Sequence, residues 1–288
     1  MIPWIAAARP RTLVAGAVPV AVGSAVAWRE GAYRPSVFWA ALFGALFIQA
    51  GANYVNDASD FLRGADTADR LGPRRMAQAG LLTPRALFIG ASVFFLMAVV
   101  CGAHLIQVAG WPILVIGSVS ILFAIAYTAG PFPLAYLGLG DFFVLIFFGI
   151  VAVLGTKYAH SGDLSSASWV LAVAVGLQAT ALIAVNNTRD IPTDDRAGKR
   201  TLSVKLGLRW SRVYYSVITL APFLSIPFLV RELGWAMLFP LLSFPFAISN
   251  VKAMGTAGTP AEFNNLLGAT ARLQALFGAG SVVGLIFG

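Results

Sequence analysis

Charged side chains are scarce in this sequence, and cysteine is scarcer still. Only 11% of its 288 residues are charged and 58% are hydrophobic, whereas an average soluble domain has roughly 25% charged residues. The single cysteine, Cys101, excludes a disulfide framework and a Cys-x-x-Cys metal or redox site. A soluble globule cannot hide this much apolar surface, so the composition excludes an ordinary soluble enzyme. It also excludes a disordered or collagen-like chain.

The apolar residues are arranged in long unbroken runs. Strands of a membrane β-barrel would alternate polar and apolar residues, whereas a run of about 20 apolar residues is what an α-helix needs to cross a bilayer. We therefore predict an all-α, multi-pass membrane bundle of nine transmembrane helices, forming a single domain over residues 1–288. The predicted spans are 12–28, 36–55, 86–107, 110–128, 139–157, 168–187, 211–230, 234–250 and 270–287.

The basic residues predict how the bundle is oriented. The net charge is +8, from 20 basic and 12 acidic residues. With the N-terminus in the cytoplasm, most of the basic residues lie in the N-terminal segment and the even-numbered loops, as the positive-inside rule requires. These loops would also be basic if they bind an anion, so the two explanations stay open. No basic stripe interleaved with stacking aromatics is present, and we predict no nucleic-acid partner.

More than half of the acidic residues lie in two long polar loops, at about 56–85 and 188–210. In both cases an asparagine near the end of the preceding span is followed by aspartates at helical spacing. The two sets are Asn53, Asp57 and Asp60, and Asn186, Asp190 and Asp194. Residues at i, i+3 or i+4, and i+7 or i+8 share one face of a helix. Both sets therefore present clustered carboxylates, provided that Pro192 does not break the second helix.

Carboxylates on one face repel each other unless a positive charge lies between them. Mg²⁺ takes one or two carboxylates and accepts its remaining ligands from water and substrate phosphates. Two facing clusters would hold a diphosphate through bridging metal ions, and nearby basic residues would contact its oxygens. Those residues are Arg63, Arg70, Arg189, Arg196, Lys199 and Arg200. The alternative is that the acidic residues are solvated or paired with neighbouring arginines.

The two motifs resemble those of the UbiA superfamily of intramembrane aromatic prenyltransferases, and in particular its 1,4-dihydroxy-2-naphthoate polyprenyltransferase branch. The first motif reads NDASDFLRGAD from Asn56, and the second reads NNTRDIPTDDRAGKRTLSVKLG from Asn186. Two further stretches are similar, Trp4–Leu13 and Tyr127–Tyr158. Many members of the superfamily have an aspartate where this chain has Gly64, whereas the naphthoate branch has it at the position of Asp66.

The resemblance implies a fold of nine helices around a central cavity, and an enzyme of the inner cell membrane. The substrates would be a polyprenyl diphosphate and 1,4-dihydroxy-2-naphthoate, with Mg²⁺ as cofactor. The product would be demethylmenaquinone, formed with loss of CO₂ and diphosphate. Neither the prenyl length nor the oligomeric state follows from the sequence.

The residue types and the resemblance together give a set of candidate site residues. The candidate metal ligands are Asp57, Asp60, Asp66, Asp190 and Asp194. The candidate substrate-binding residues are Arg11, Asn53, Asn56, Arg63, Asn186, Arg189, Arg196 and Lys199. Asp57, Asp60, Asp190 and Tyr127 are the candidate catalytic residues. Among these, Tyr127 would stabilise an allylic cation and Asp60 would activate the acceptor hydroxyl. Arg11, or in second place Arg9, would bind the acceptor carboxylate.

Two other functions remain open. The first is a UbiA-type prenyltransferase with another aromatic acceptor, such as 4-hydroxybenzoate. The second is a transporter of cations or anions, which would place acidic residues near the bilayer midplane on discontinuous helices. In this sequence the acidic residues lie at the ends of spans and in loops, which favours capture of a phosphate head group at the membrane surface.

Overall fold

The computed structural model describes residues 2–66 and 70–288, with only the backbone described at Arg11. All regular secondary structure in these ranges is helical. Seven helices are long and apolar enough to span a membrane: α3 (Pro35–Leu62), α4 (Pro84–Ala109), α6 (Gly140–Ser161), α7 (Ser166–Arg189), α9 (Leu202–Leu233), α10 (Trp235–Thr256) and α11 (Pro260–Phe287). Two shorter apolar helices, α2 (Val14–Arg29) and α5 (Trp111–Ala126), complete the nine predicted segments. The prediction of a multi-pass all-α membrane bundle is confirmed.

The helix boundaries follow from local chemistry. Proline occupies the first turn of α3, α4 and α11, where its missing N–H costs no hydrogen bond. Ser165 and Thr259 begin α7 and α11 with capping boxes, which satisfy the free N–H groups of the first turn. Between α4 and α5 the chain reverses at Gly110, whose φ of 81° is readily adopted only by glycine.

Several helices extend beyond their predicted apolar runs, among them α9, which begins at Leu202 instead of near residue 211. α3 continues to Leu62 instead of ending near residue 55, and α11 begins at Pro260 instead of near residue 270. The extra turns carry polar residues, which the hydropathy pattern alone assigns to loops. Because α3 continues, the first acidic motif lies on a helix. A short helix before the first span, α1 (Pro3–Ala8), was not predicted.

The centre of the bundle is formed by α7, the most deeply buried of the spanning helices. It contacts α6 at a pair of glycines, where a Cβ on Gly149 would lie 2.6 Å from the carbonyl oxygen of Ala172 and one on Gly176 would lie 2.9 Å from the Cα of Gly149. The two backbones therefore touch directly. In this region α6 adopts a π-helix, over Leu145–Leu154, a feature that is frequent at functional sites.

Candidate functional site

A cavity of about 960 Å³ runs through the bundle between α3, α4, α5, α6 and α7. One end is polar and is lined by residues of both acidic motifs, among them Asn53, Asn56 and Asp60 from α3 and Asn186 from α7. The remainder is lined mainly by aliphatic and phenylalanine side chains. The two motifs, far apart in sequence, therefore share one chamber.

The first motif places its two helical aspartates in different environments. Asp60 lines the cavity, accepts a hydrogen bond from the Tyr136 hydroxyl at 2.9 Å and is paired with Nη2 of Arg75 at 3.3 Å. Asp57 is only 1% exposed, and its two oxygens accept hydrogen bonds from the backbone N–H groups of Met76 and Ala77 at 3.0 Å each. Asp57 thus fastens the far end of the first loop to α3, while Asp60 faces the cavity.

The third acidic residue of the first loop, Asp66, is also buried. It is ion-paired with Arg70, and its Oδ2 lies 3.4 Å from Nε of Arg75. Burial raises the pKa of Asp66 to about 6, because the loss of hydration outweighs the attraction of Arg70. This carboxyl group therefore titrates near neutral pH when only arginines are beside it.

The second motif does not continue one helix. α7 ends at Arg189, Asp190 has φ −89° and ψ 4°, and a separate short helix, α8 (Ile191–Arg196), follows with Pro192 in its first turn. The common helical face expected for the second motif is therefore interrupted at Asp190. Proline has no N–H and its ring clashes with the preceding turn, which ends the helix at this point.

The aspartates of the second motif are paired with basic residues nearby in sequence. Asp190 accepts hydrogen bonds from Nε and Nη2 of Arg189 at 2.8 and 2.7 Å. Asp194 is buried and lies 3.4 Å from Nζ of Lys199. Burial raises the pKa of Asp194 to about 6, against the attraction of Lys199.

Tyr136 joins the two motifs. Its hydroxyl bonds Asp60, while the Arg63 guanidinium and the Lys199 ammonium lie 5.5 and 5.7 Å from its ring centroid. Such cation–π contacts are worth roughly 0.5–1 kcal/mol at exposed sites and more when desolvated. Burial, and after it the negative charge of Asp60, raises the pKa of Tyr136 above its usual value. Burial lowers the pKa of Lys199, but the charges of Asp194 and Asp60 outweigh it and raise that pKa overall.

A second bridge between the loops is formed at Asn264, near the start of α11. Arg189 donates from Nη1 to Oδ1 of Asn264 at 2.6 Å, and Nδ2 of Asn264 donates to the Leu71 carbonyl at 3.4 Å. The close approach continues at Gly72, where a Cβ would lie 2.5 Å from Nη2 of Arg189. The two acidic motifs therefore lie on the same side of the bundle and form one site.

Some of the predicted substrate-binding residues line the cavity and others, including the buried Arg189, do not. Asn53, Asn56, Asn186 and Lys199 line the cavity, as does Tyr127. Arg63 and Arg196 are exposed and do not line it. Arg63 donates to the Gly130 carbonyl, and Arg196 donates to the Pro192 carbonyl at 3.1 Å. The Arg11 side chain and Asp69 lie outside the described residues.

Arg9 is presented to the cavity by an unusual turn. It follows α1 with φ of 53°, the one non-glycine residue with positive φ in the described chain. Its carbonyl accepts a hydrogen bond from the Thr12 hydroxyl at 3.0 Å, and Asn53 donates to the preceding Ala8 carbonyl at 2.9 Å. Nη2 of Arg9 is buried and has no hydrogen-bond partner. The first motif thus holds in place a guanidinium with a free donor.

Arg75 and Thr128 are site residues that sequence reasoning missed. Arg75 pairs with Asp60 and Asp66, and Thr128 donates to Oδ1 of Asn56 at 2.6 Å. The run Pro73-Arg74-Arg75 signals a basic loop, but nothing in it distinguishes the buried Arg75 from the exposed Arg74. Thr128 follows a span as a lone threonine and carries no signal.

The oxygen donors of this site suit a hard divalent cation. Carboxylate and carboxamide oxygens are the ligands such ions prefer, and Oδ2 of both Asp66 and Asp194 is buried without a hydrogen bond. Within residues 2–66 and 70–288, no group of three or more His, Cys, Asp or Glu side chains is arranged as a metal cage. Arginine and lysine occupy the intervening space, and a cation would have to displace them.

Comparison with known proteins agrees with this geometry. The sequence profile of the UbiA prenyltransferase family matches residues 17–257. The chain belongs to the UbiA prenyltransferase family. Among its UbiA relatives, 1,4-dihydroxy-2-naphthoate octaprenyltransferase of Escherichia coli (strain K12) is 33% identical over 279 residues, covering 93% of this chain and 90% of the relative. The enzyme of the same name from Mycobacterium tuberculosis is 39% identical over 216 residues, covering 74% and 72%.

Solved UbiA structures share the fold. A UbiA homolog from Aeropyrum pernix K1 superposes with a TM-score of 0.73 at 16% identity, covering 93% of this chain and 96% of that one. A UbiA homolog from Archaeoglobus fulgidus bound to GPP and Mg²⁺ gives a TM-score of 0.68 at 13% identity, covering 97% and 99%. At these identities the structures establish the fold, and the naphthoate relatives carry the functional similarity.

Proposed function

We propose that this UbiA protein transfers a polyprenyl group from polyprenyl diphosphate to 1,4-dihydroxy-2-naphthoate, releasing CO₂ and diphosphate and forming demethylmenaquinol, the reduced form of demethylmenaquinone. The observation that carries the proposal is a deep apolar chamber ending in a pocket built from both Asn/Asp motifs. A prenyl diphosphate has the same division into a greasy tail and a charged head. The acceptor is inferred from the naphthoate octaprenyltransferases to which the chain is similar.

The head group would be held by the charged pocket. Mg²⁺ is the cofactor we propose; Asp60, Asp66, Asp190 and Asp194 would hold it, and Asp57 would support the first loop. When bound, it would neutralise the negative charge that develops on the leaving diphosphate. Arg70, Arg75, Arg189 and Lys199, released from their carboxylate partners, would turn to the phosphate oxygens. Arg63 and Arg196 would contribute at the pocket's outer edge.

The reaction begins with cleavage of the bond between the allylic carbon and the diphosphate oxygen, whose electron pair leaves with the diphosphate. The allylic cation would lie between Tyr127, Phe143 and Phe147, which line the cavity next to the polar end. Their ring faces attract a cation, and the apolar walls keep water from capturing it. The naphthoate ring carbon that bears the carboxylate attacks the cation. The bond to the carboxylate then breaks, and its electrons restore the aromatic ring as CO₂ departs.

The anionic acceptor requires a cationic partner near this point. Arg9 supplies a buried guanidinium nitrogen without a hydrogen-bond partner, which favours it as the residue that binds the naphthoate carboxylate. Arg11 remains our other candidate for that role. Asp60, which accepts a hydrogen bond from Tyr136, would accept a proton from an acceptor hydroxyl as the ring attacks and return it when CO₂ departs. Asn53, Asn56 and Asn186 would orient the two head groups by hydrogen bonds.

We infer that the whole chain, residues 1–288, acts as one domain in the inner cell membrane, with its N-terminus and both acidic loops in the cytoplasm. The basic residues of these loops favour this orientation, and the diphosphate substrate would then be taken from the cytoplasmic side. Cysteine labelling from each side of sealed vesicles, at Ala197 in the second loop and at Gly162 on the opposite side, would test it.

The decisive experiment is turnover by the purified protein in detergent or proteoliposomes. With a prenyl diphosphate, 1,4-dihydroxy-2-naphthoate and Mg²⁺, we expect prenylated product and one CO₂ per transfer, both abolished by EDTA and restored by Mg²⁺. If prenylated product formed with 4-hydroxybenzoate but not with 1,4-dihydroxy-2-naphthoate, the proposed acceptor would be wrong and 4-hydroxybenzoate would take its place. Ion flux in sealed vesicles without any prenyl transfer would instead support the transporter.

A further inference from the structure

The apolar part of the cavity has a closed far end. Its wall along α3 runs from Asp60 to Ala41, a depth of about 28 Å at 1.5 Å per residue, which approaches the roughly 30 Å of a bilayer core. Val37, Ile113 and Ala159 pack into a buried cluster at the far end. The unpartnered buried nitrogen of Arg9 marks the other end as the one that takes an anion. A ligand with a charged head would therefore have its tail directed at the closed end.

Two glycines leave open space part-way along this chamber. Gly102 of α4 and Gly117 of α5 both line the cavity, and a Cβ built on either would meet no atom within 4 Å. The two helices are joined at Gly110, and the glycines lie eight residues before it and seven after it, which places them at the same depth. Gly44 is different, because its Cβ would lie 3.5 Å from that of Cys101 and is already in packing contact.

The depth of this open space can be compared with the length of a prenyl tail. From Thr128 at the polar end to Gly117 the distance along α5 is about 16 Å. An isoprene unit adds four bonds to the chain, and each bond of about 1.5 Å advances an extended zigzag by about 1.25 Å, so a two-unit tail extends about 10 Å and a four-unit tail about 20 Å. A two-unit tail stops short of the glycines, whereas a four-unit tail passes between them.

We propose that Gly102 and Gly117 determine specificity for tail length, by leaving room for the fourth and later isoprene units. The inference rests on the proposed prenyl transfer and adds the residues that select among its donors. It predicts that a side chain at either position acts as a block at a fixed depth, harmless to short tails and obstructive to long ones.

The test uses Gly102→Leu and Gly117→Leu with geranyl diphosphate and geranylgeranyl diphosphate as donors. We expect kcat/KM for the two-unit donor to stay within about twofold of wild type. For the four-unit donor it should fall by about tenfold or more, since the added side chain occupies the space that the tail needs. The matched control is Gly255→Leu on α10, where a Cβ also meets nothing within 4 Å but the residue does not line the cavity. It should change neither value.

A binding measurement distinguishes an effect on tail binding from an effect on the chemical step. The rise in Tm caused by each donor with Mg²⁺ should shrink for the four-unit donor only. If a leucine variant does not fold, Gly102→Ala and Gly117→Ala should show a smaller shift in the same direction. Failure of both alanine variants to fold while Gly255→Leu folds would show that the glycines serve packing, and would overturn the proposal.

Two other results would also overturn it. An equal loss of kcat/KM with both donors would show that the substitution acts somewhere other than on the part of the cavity that holds the tail. No loss with either donor would mean that the tail leaves the protein between α4 and α5, where the wall residues Val99 and Leu114 are 53% and 52% exposed. A wild-type protein that neither binds nor converts any prenyl diphosphate would refute the proposed function itself, and that result is distinguishable from all of these.

Discussion

The two acidic motifs have nearly the same spacing but are built differently. In the first, α3 runs unbroken past Asp57 and Asp60, and the loop folds back so that its backbone N–H groups bond Asp57. In the second, the helix stops at Arg189, and Asp190 is neutralised by that adjacent arginine. Asp57 of the first motif is held by hydrogen bonds from backbone N–H groups, whereas Asp190 of the second motif is held by the Arg189 side chain. Equal spacing therefore does not give equal roles.

This difference has a consequence for the stability of each half. Breaking the first arrangement leaves buried N–H groups without acceptors, which costs about 1–3 kcal/mol for each group. Breaking the second leaves Arg189 still bonded to Asn186 and Asn264. We expect the first motif to be the more important for folding, and the second to be the more adaptable when a ligand arrives. The following predictions test that contrast.

The largest effect is expected at the carboxylate that faces the cavity. Asp60→Asn removes a charge beside Tyr136 and Arg75 and should lower turnover by about a thousandfold, the upper range for losing one electrostatic group at a reacting centre. Steady-state rates with saturating substrates measure it. The control is Asp195→Asn, an exposed carboxylate paired with Arg200 at 3.2 Å, which should retain full activity. Equal loss in both would show a general charge effect.

Two alanine variants disrupt the motifs one at a time: Asp57→Ala disrupts the first motif and Asp190→Ala the second. Asp57→Ala should destabilise the fold by about 2–4 kcal/mol, because two buried N–H groups lose their acceptors, and Tm should fall accordingly. Asp190→Ala should lower Tm less but weaken diphosphate binding by about tenfold, because one of the carboxylates proposed to hold Mg²⁺ is lost. Thermal unfolding and KM for the donor provide both readouts. The contrast between the motifs would be wrong if Tm fell equally in the two variants.

A smaller effect is expected where the motifs meet. Tyr136→Phe removes the hydrogen bond to Asp60 but keeps the ring beneath Arg63 and Lys199. The rate should fall by about tenfold, the value of one hydrogen bond to a charged group, with little change in Tm. Tyr158→Phe, near the closed end of the cavity, is the control and should be neutral. An unchanged rate in Tyr136→Phe would show that the ring alone connects the motifs.

The smallest effect is a pH dependence that should be shared by both motifs. Burial raises the pKa of Asp66 and of Asp194 from 3.8 to about 6. Protonation therefore favours the folded, metal-free protein: this contribution is fully present below pH 3.8 and is lost as pH rises through 6. The Tm of the metal-free protein should fall as pH rises from 5 to 7.

Added Mg²⁺ competes with those protons and should raise Tm more at pH 7 than at pH 5. Asp66→Asn and Asp194→Asn should each remove part of this difference. If one variant removed all of it, the cation would belong to one motif alone.

Much of the fold could be predicted because it depends on composition. Runs of apolar residues gave nine segments, and the turn at Gly110 separates two of them where a glycine precedes Trp111-Pro112. The extra turns of α3 and α11 could not be predicted in this way, since their polar residues are stabilised by partners from other parts of the chain, such as the Met76 and Ala77 N–H groups on Asp57.

The candidate site could be predicted as a set of residue types but not as a set of pairs. Spacing brought Asp60 and Asp194 into consideration, and both lie in the shared site. It could not show that Asp57 binds backbone, that Arg75 rather than Arg74 is buried, or that Arg9 adopts a left-handed turn. Those facts depend on how a loop folds back over α3, which is a long-range contact without a local signal.

Acidic and basic side chains are paired inside the pocket. This pairing favours a ligand that carries both a metal ion and a phosphate group. A metal ion that bound alone would be coordinated by the carboxylates, but its positive charge would repel Arg75, Arg189 and Lys199. A phosphate that bound alone would accept hydrogen bonds from these basic residues, but it would leave the carboxylates unpaired next to a second negative charge. Only a ligand that brings both signs at once lets every internal pair exchange partners without leaving a charge uncompensated. We therefore expect the protein to bind a free metal ion or a simple phosphate more weakly than a ligand that carries both charges.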